Sequence, residues 1–280
     1  MEKFRLIPLL TAAVMGCTAL LAGCGKGSDS SSSKAEEGAK TSDDGSINKD
    51  LTATELARLL GNGTNLGNTM EAYGHKSYSA DTDPESFETF WGQPVTTEEM
   101  IKGMKASGFD SLRVPVAWTN AMEYEKGDYT INEAYLDRVE EIINYALDND
   151  MYVIINDHWD GSWWGMFGSS EQSDVDKAFE MYKSMWTQIA NRYKKYSDRL
   201  IFEGANEELG DRLNDTDVCK NSGSLSKAEC YEMANKINQT FVDTVRATGG
   251  NNEQRFLLIA GYNTDITMTC SCLLYTSPSP

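Results

Sequence analysis

The feature that most constrains the fold of this chain is a repeated alternation between short apolar runs and longer amphipathic segments. The runs TNLGNT (Thr64 to Thr69), FDSLRVPVAW, MYVIIND, RLIFEGA and RFLLIAG read as strands. Between them, EEMIKGMKASG reads as a helix closed by Gly108, and NEAYLDRVEEIINYALDND places Leu136, Val139, Ile143 and Leu147 on one helical face. A long helix from about Asp174 to Tyr193 turns Met181, Met185, Trp186 and Ile189 to one side. A further helix opens on a capping box, Ser226 with Glu229, and stops at glycine. Strands this continuously apolar are expected where both faces are covered, and regular alternation of strand and helix is the pattern of a parallel sheet.

A parallel sheet either closes into a barrel or stays open. No G-x-G-x-x-G turn follows any of the strands, and polar residues gather just beyond the strand ends: Asn68, Trp118, His158, Asn206, Glu207 and Tyr262. In a (β/α)8 TIM barrel all such positions share one face, where that fold builds its active sites. The α/β barrel is therefore the expected fold class. Only about the first five strands are accounted for, near Asn65, Val114, Val153, Phe202 and Leu257, so residues 49–269 are expected to form an incomplete barrel and residues 270–280 an atypical tail without helix or strand logic.

The N-terminal residues are of another kind. Lys3 and Arg5 precede a mostly small and apolar stretch from Leu6 to Leu21, which Leu21-Ala22-Gly23-Cys24 ends. Residues 1–23 resemble a bacterial lipoprotein signal, cleaved so that the Cys24 thiol carries lipid; an ordinary secretory signal and a short membrane helix are the alternatives. Residues 24–48, rich in Ser, Gly, Lys, Glu and Asp, have almost nothing to bury and are expected to be a flexible tether. The protein is thus expected to be exported and anchored through lipid to a membrane at the bacterial cell surface. Disulfides are permitted there. Cys219 and Cys230 flank a Ser/Gly-rich loop, and both a disulfide and two free thiols are open readings.

With 25 basic against 43 acidic residues and a net charge of -18, the chain is unsuited to a nucleic-acid backbone and favours a neutral or cationic ligand. It has no CxxC or HExxH, and its only histidines are His75 and His158, so no metal or other cofactor is expected.

The segments NLGNT, GFDSLRVPVAW, VIINDHWD and FEGANE, in this order on successive strands, resemble the first four strands of glycoside hydrolase family 5, the broad cellulase group, over about Asn62 to Tyr262. The resemblance implies a barrel that cleaves a β-linked polysaccharide with retention of configuration. It makes Glu207 the general acid/base and Asn206 the residue that bonds the sugar 2-hydroxyl. Arg113 and His158 become the basic residues that hold the carboxylates and the sugar in the cleaving subsite. A retaining enzyme also needs a second carboxylate about 5 to 5.5 Å from the first as nucleophile. The family's nucleophile, a Glu at the seventh strand end, has no counterpart in this sequence.

Two neighbours of Glu207 carry separate expectations. Glu203 lies four residues earlier on the same strand face and reads as a buried partner of Arg113. Glu208 stands where the family commonly has proline; it either raises the pKa of Glu207 as a second anion or points to solvent. For substrate grip, the loop HWDGSWWGMF offers Trp159, Trp163, Trp164 and Phe167, with Trp163 and Trp164 the best candidates to stack on sugar faces. A retaining endo-β-1,4-glycanase is the leading functional reading. A non-catalytic surface glycan-binding lipoprotein that uses the aromatic loop alone is the alternative.

Overall fold

The computed structural model describes residues 43–271 apart from 162, 216–220 and 224. The signal, Cys24 and the tail from residue 272 lie outside the described residues. Among the described residues, five strands form one sheet: β1 (Gly63–Asn65), β2 (Ser111–Val114), β3 (Tyr152–Asn156), β4 (Leu200–Glu203) and β5 (Leu257–Leu258). They lie side by side in chain order and every pair is parallel. Asn65 is level with Arg113, Asn156 with Glu203, and Glu203 with Leu258. This is the strand order of consecutive staves of a (β/α)8 barrel.

Parallel neighbours need long crossovers, and helices supply them. Helix α1 (Ala53–Leu59) precedes β1, while α2 (Pro84–Phe90) and α3 (Glu98–Ala106) lie between β1 and β2. Next come α4 (Glu133–Leu147) before β3, α5 (Gln172–Tyr193) before β4, α6 (Lys227–Ala247) before β5, and α7 (Ile266–Ser271) at the end. The expected capping box at Ser226 and Glu229 opens α6, and a second, Thr52 with Glu55, opens α1. On α4 the four residues predicted to share a face are all buried, as are Met181, Met185, Trp186 and Ile189 on α5.

The strands are covered unequally. Leu112, Val114, Val153, Ile155, Leu200 and Phe202 are fully buried, while Arg113, Ile154 and Glu203 on the alternate positions are only half-buried. The fully covered side is the larger part of the core; the half-covered side carries Arg113 and Glu203. Strand β5 is also shorter than RFLLIAG suggested, and Leu258 and Ile259 are exposed, because among the described residues it has a partner on one side only.

The expected tether boundary at residue 48 is too late. The Asp43 carboxylate accepts the Ser197 amide at 2.8 Å, Asn251 donates to the Gly45 carbonyl at 2.7 Å, and the Asn48 amide donates to Asp198 at 3.0 Å. Residues 43–48 dock through polar groups and backbone, and with Ile47 as their one large apolar residue, their composition concealed the contact. Nearby, the fully buried Arg255 guanidinium donates to the carbonyls of Ser197, Leu200 and Tyr196 and to Asn252. It joins the C-terminal end of α5 to the start of β4. No helix of the described residues is long and apolar enough to cross a membrane.

Beyond β3 the core contains two acids that the sequence reading did not single out. Asp157 and Asp160 are both fully buried. Asp160 accepts the Thr119 amide and, at 2.6 Å, its hydroxyl, whereas neither oxygen of Asp157 meets an N–H or O–H donor. Burial, the adjacent Asp160 carboxylate and the charge of Glu208 push Asp157 well above the usual carboxylate range; burial likewise pushes Asp160 up, to about 6. Two acceptors side by side can bond only when one holds a proton.

The folded state therefore keeps protons that the unfolded chain has released. The resulting stability is fully present below the ordinary carboxylate pKa near 4 and is lost as pH rises through about 6 and beyond. Asp157→Asn is expected to flatten this dependence, adding on the order of 2 kcal/mol, or about 5 °C in Tm, at pH 8 and little at pH 4.5. Thermal melts of both proteins across that range check it; parallel curves would show that the pair takes up no extra proton on folding.

Candidate active site

The site is assembled where β2, β3 and β4 end. Arg113, the third residue of β2, reaches across the sheet and donates through Nε to Glu203 Oε2 at 2.6 Å. Its Nη2 donates to Asn206 Oδ1 at 2.9 Å. The expected Arg113–Glu203 pair is thus present, and the same guanidinium orients the Asn206 amide so that its Nδ2 hydrogens remain as donors. Glu207 follows directly. Its side chain is 61% exposed, and a cation, Arg212, lies 3.9 Å from Oε2, a separation worth little in water.

Glu208 does not point to solvent, one of the two alternatives open for it. It is fully buried, with Oε1 accepting the Trp159 amide at 2.8 Å and Oε2 accepting the Asn206 amide at 2.7 Å. Burial raises its pKa to about 7 against the pull of these amides and of Arg212. Between the two glutamates the exposed one presents its carboxyl at the strand-end edge, and the buried one belongs to the frame behind it. Side-chain direction decides this, and the dipeptide alone does not carry it.

His158 is half-buried beyond β3, its Nδ1 3.1 Å from Asn156 Nδ2. An amide nitrogen only donates, so Nδ1 accepts and the ring proton sits on Nε2. Burial, with the Arg113 charge, lowers the imidazole pKa to about 4, so the ring is neutral near pH 7 and can donate from Nε2 without carrying charge. Asn68 lies beyond β1 in a left-handed conformation with φ 63. The buried Glu71 carboxylate accepts the amides of Asn68 and Thr69 and holds that turn; burial raises its pKa. Arg113, Asn206, Glu207 and His158 therefore occupy neighbouring strand ends, with Asn68 at the end of the adjoining β1.

The expectations for Trp163, Trp164 and Tyr262 are corrected. Trp163 and Trp164 are each 1% exposed, stacked on one another with centroids 4.4 Å apart and packed against Phe167 and Tyr182. They are core, not glycan platforms. Gly168 at the end of this segment serves close packing: a Cβ there would lie 1.7 Å from the Leu213 carbonyl oxygen. Tyr262 is likewise buried; its ring lies against Tyr231 and its hydroxyl donates to Asp211 at 2.9 Å. Of the cysteine pair, Cys230 is buried with its thiol near Asn214, while Cys219 lies outside the described residues.

The open space lies elsewhere. A cavity of about 770 Å³ beside these strand ends is lined by Tyr73, His75, Tyr78, Asn120, Tyr124 and Trp159 among others. His75 stacks on Tyr78 with centroids 3.8 Å apart, and Trp159 carries the Arg212 guanidinium 3.7 Å from its ring centre. Trp159 was noted in the sequence as one ring among four. The segment YGHKSY after the first strand held the other signal. A second groove of about 560 Å³ lies among α2, α3 and α4, away from the strand ends, and its lining is dominated by charged residues such as Asp137, Glu141 and Arg138.

The family model for cellulase, glycosyl hydrolase family 5, matches residues 75–275. A xyloglucan-specific endo-β-1,4-glucanase of Bacteroides ovatus is 40% identical over 218 residues, covering 78% of this chain and 40% of that protein. Endoglucanase A of Paenibacillus barcinonensis is 37% identical over 227 residues, covering 79% of this chain and 51% of its own length. Among solved structures, a broad-specificity endoglucanase from Ruminococcus champanellensis with bound cellotriose superposes with a TM-score of 0.68 at 38% identity, covering 80% of this chain and 62% of the other. The chain spans about half the length of the curated relatives it matches. The parallel strand order, the strand-end residues and these likenesses agree: the chain belongs to glycosyl hydrolase family 5, and its five described strands are consistent with part of the (β/α)8 barrel of its relatives.

Proposed function

We propose that the protein is a retaining endo-β-1,4-glycanase acting on plant cell-wall β-glucan, with Glu207 as its general acid/base. The observation that carries this reading is the Arg113 bridge: one guanidinium holds both Glu203 and Asn206, and so presents the Asn206–Glu207 pair at the strand-end edge in a member of this family. The Asn206 Nδ2 hydrogens suit a sugar 2-hydroxyl, and the neutral His158 supplies a further donor. The aromatic cavity beside them supplies flat apolar faces for successive sugar rings. Relatives known as endoglucanases and a xyloglucanase support a β-1,4-glucan backbone as the substrate class.

In this mechanism Glu207 protonates the leaving glycosidic oxygen and later activates water, while a second carboxylate attacks the anomeric carbon. Glu203, Glu208 and Glu71 are each engaged, by Arg113 or by two backbone amides, and serve as frame. The nucleophile lies outside the described residues, and the 280-residue chain alone is expected to release no reducing ends from soluble β-glucan or xyloglucan. For the alternative of a pure glycan-binding lipoprotein, the burial of Trp163 and Trp164 leaves Trp159 as the aromatic-loop tryptophan that lines the cavity.

In a chain that carries all eight strands, Glu207→Gln is expected to depress hydrolysis of unactivated β-glucan by about 10²- to 10⁴-fold, since an amide donates no proton. Aryl glycosides with good leaving groups should lose far less. Steady-state rates on both substrates decide the point, and an equal loss on each would remove Glu207 from the acid role.

We further propose that Cys24 carries the lipid that anchors the protein at the cell surface. Cys24→Ala is then expected to move the protein from the membrane to the soluble fraction, read by fractionation; unchanged partitioning would exclude this anchor.

A further inference from the structure

The ladder between β3 and β4 ends at the Asn156–Glu203 pair, and the two chains then separate into the loops that carry Trp159 and the Asn206–Glu207 pair. A carboxylate joins them. Glu208 Oε1 accepts the Trp159 amide at 2.8 Å and Oε2 the Asn206 amide at 2.7 Å, one donor from each loop. The Trp159 backbone it grips has φ 26, a conformation that a bulky residue holds only where surrounding contacts over-determine it.

A second contact works from the other side. Arg212 lies over the Trp159 ring at 3.7 Å and 3.9 Å from Glu207 Oε2. Glu208 thus holds the backbones of Trp159 and of Asn206, the residue before the acid, while Arg212 touches the side chains of Trp159 and Glu207.

We infer that Glu208 is a positioning residue for glycan cleavage: its buried carboxylate ties the loop after β3 to the loop after β4, and so aims Trp159 and the Asn206–Glu207 pair at a β-glycan chain. The role rests on the glycanase reading above. The clamp needs an ionised Glu208, because a protonated carboxyl turns one of its two acceptors into a donor facing an amide N–H. Burial comes first in setting its charge, and the titratable or charged groups that interact with it are Asp157 on the β3 loop, Arg212 after β4, and Tyr182 on α5, whose hydroxyl donates to the Gly204 carbonyl at 2.6 Å. Arg212 is the cation among them, and burial outweighs it, so the clamp loosens as pH falls through about 7.

Glu208→Gln keeps the shape and removes the second acceptor. On the full 280-residue chain, amide hydrogen exchange followed by NMR is expected to show protection at Trp159 or Asn206 falling about tenfold or more. The strand amides of Ile155 and Phe202 should stay protected and serve as the control for folding. The unmodified chain is expected to show the same loss of protection, by itself, between pH 8 and pH 5.5.

Calorimetric titration with cellotetraose and a xyloglucan heptasaccharide supplies the functional arm. Affinity should fall about tenfold in the variant, and its rise with pH in the unmodified chain should vanish. Unchanged protection at both amides, in the variant and across pH, overturns the clamp. Lost protection with affinity and pH profile unchanged overturns the positioning role. If the unmodified chain binds neither oligosaccharide while the amides still respond, the glycan reading fails and the positioning role falls with it, leaving a structural latch.

Discussion

The constraint on which everything else depends is the parallel sheet. Parallel neighbours cannot be joined by a tight turn, so each strand must be followed by a crossover, and every strand then ends on the same edge. Here β1 through β5 follow one another without a break in order, with α2 to α6 as the crossovers. The apolar faces of α4 and α5 bury the alternate strand residues Leu112, Val114, Val153, Ile155, Leu200 and Phe202. The opposite strand face is left to Arg113 and Glu203. Residues far apart in sequence, from Asn68 to Glu207, are delivered to one edge by topology alone.

That edge holds buried and half-buried charge, which a protein interior tolerates only where it is paired, hydrogen-bonded or neutralised. The three solutions coexist within a few residues. Arg113 and Glu203 pair directly. Glu208 stays between two backbone amides with its pKa raised, and Asp157, without a donor, is pushed toward its protonated form. At the other end of the sheet Arg255 needs no carboxylate contact, because four oxygens of the α5–β4 junction and Asn252 surround it. Behind Glu207, the Glu208 carboxylate accepts one amide from each of the two loops, which no strand ladder joins.

The aromatic residues show how packing reassigns a composition signal. HWDGSWWGMF contains two glycines and three tryptophans, and an exposed, ligand-binding loop is the natural reading. In the folded chain Gly168 is the point where a 3₁₀ turn, Trp164–Gly168, meets the Leu213 backbone, so the glycine brings the turn in rather than leaving it out. Trp163 and Trp164 fill the space beside Tyr182, and only Trp159 faces the cavity.

The sequence by itself determined what depends on local chemistry and period: the alternation of strands and helices, the buried faces of α4 and α5, the caps at Ser226 and Glu229, and the Arg113–Glu203 relation, which follows from strand-end position and charge. The strand-end motifs likewise pointed to the family. Only the tertiary structure decided matters of direction and distance. Glu207 and Glu208 are chemically the same and adjacent, and which one is exposed depends on how the β4 loop turns against the β3 loop. Whether a tryptophan packs inward or lines a cavity depends on what lies opposite it, and Trp163 and Trp164 meet Tyr182 of α5. The docking of residues 43–48 on Ser197 and Asn251 was illegible for the same reason: backbone hydrogen bonds leave no mark on composition, and a long-range partner leaves none on local pattern.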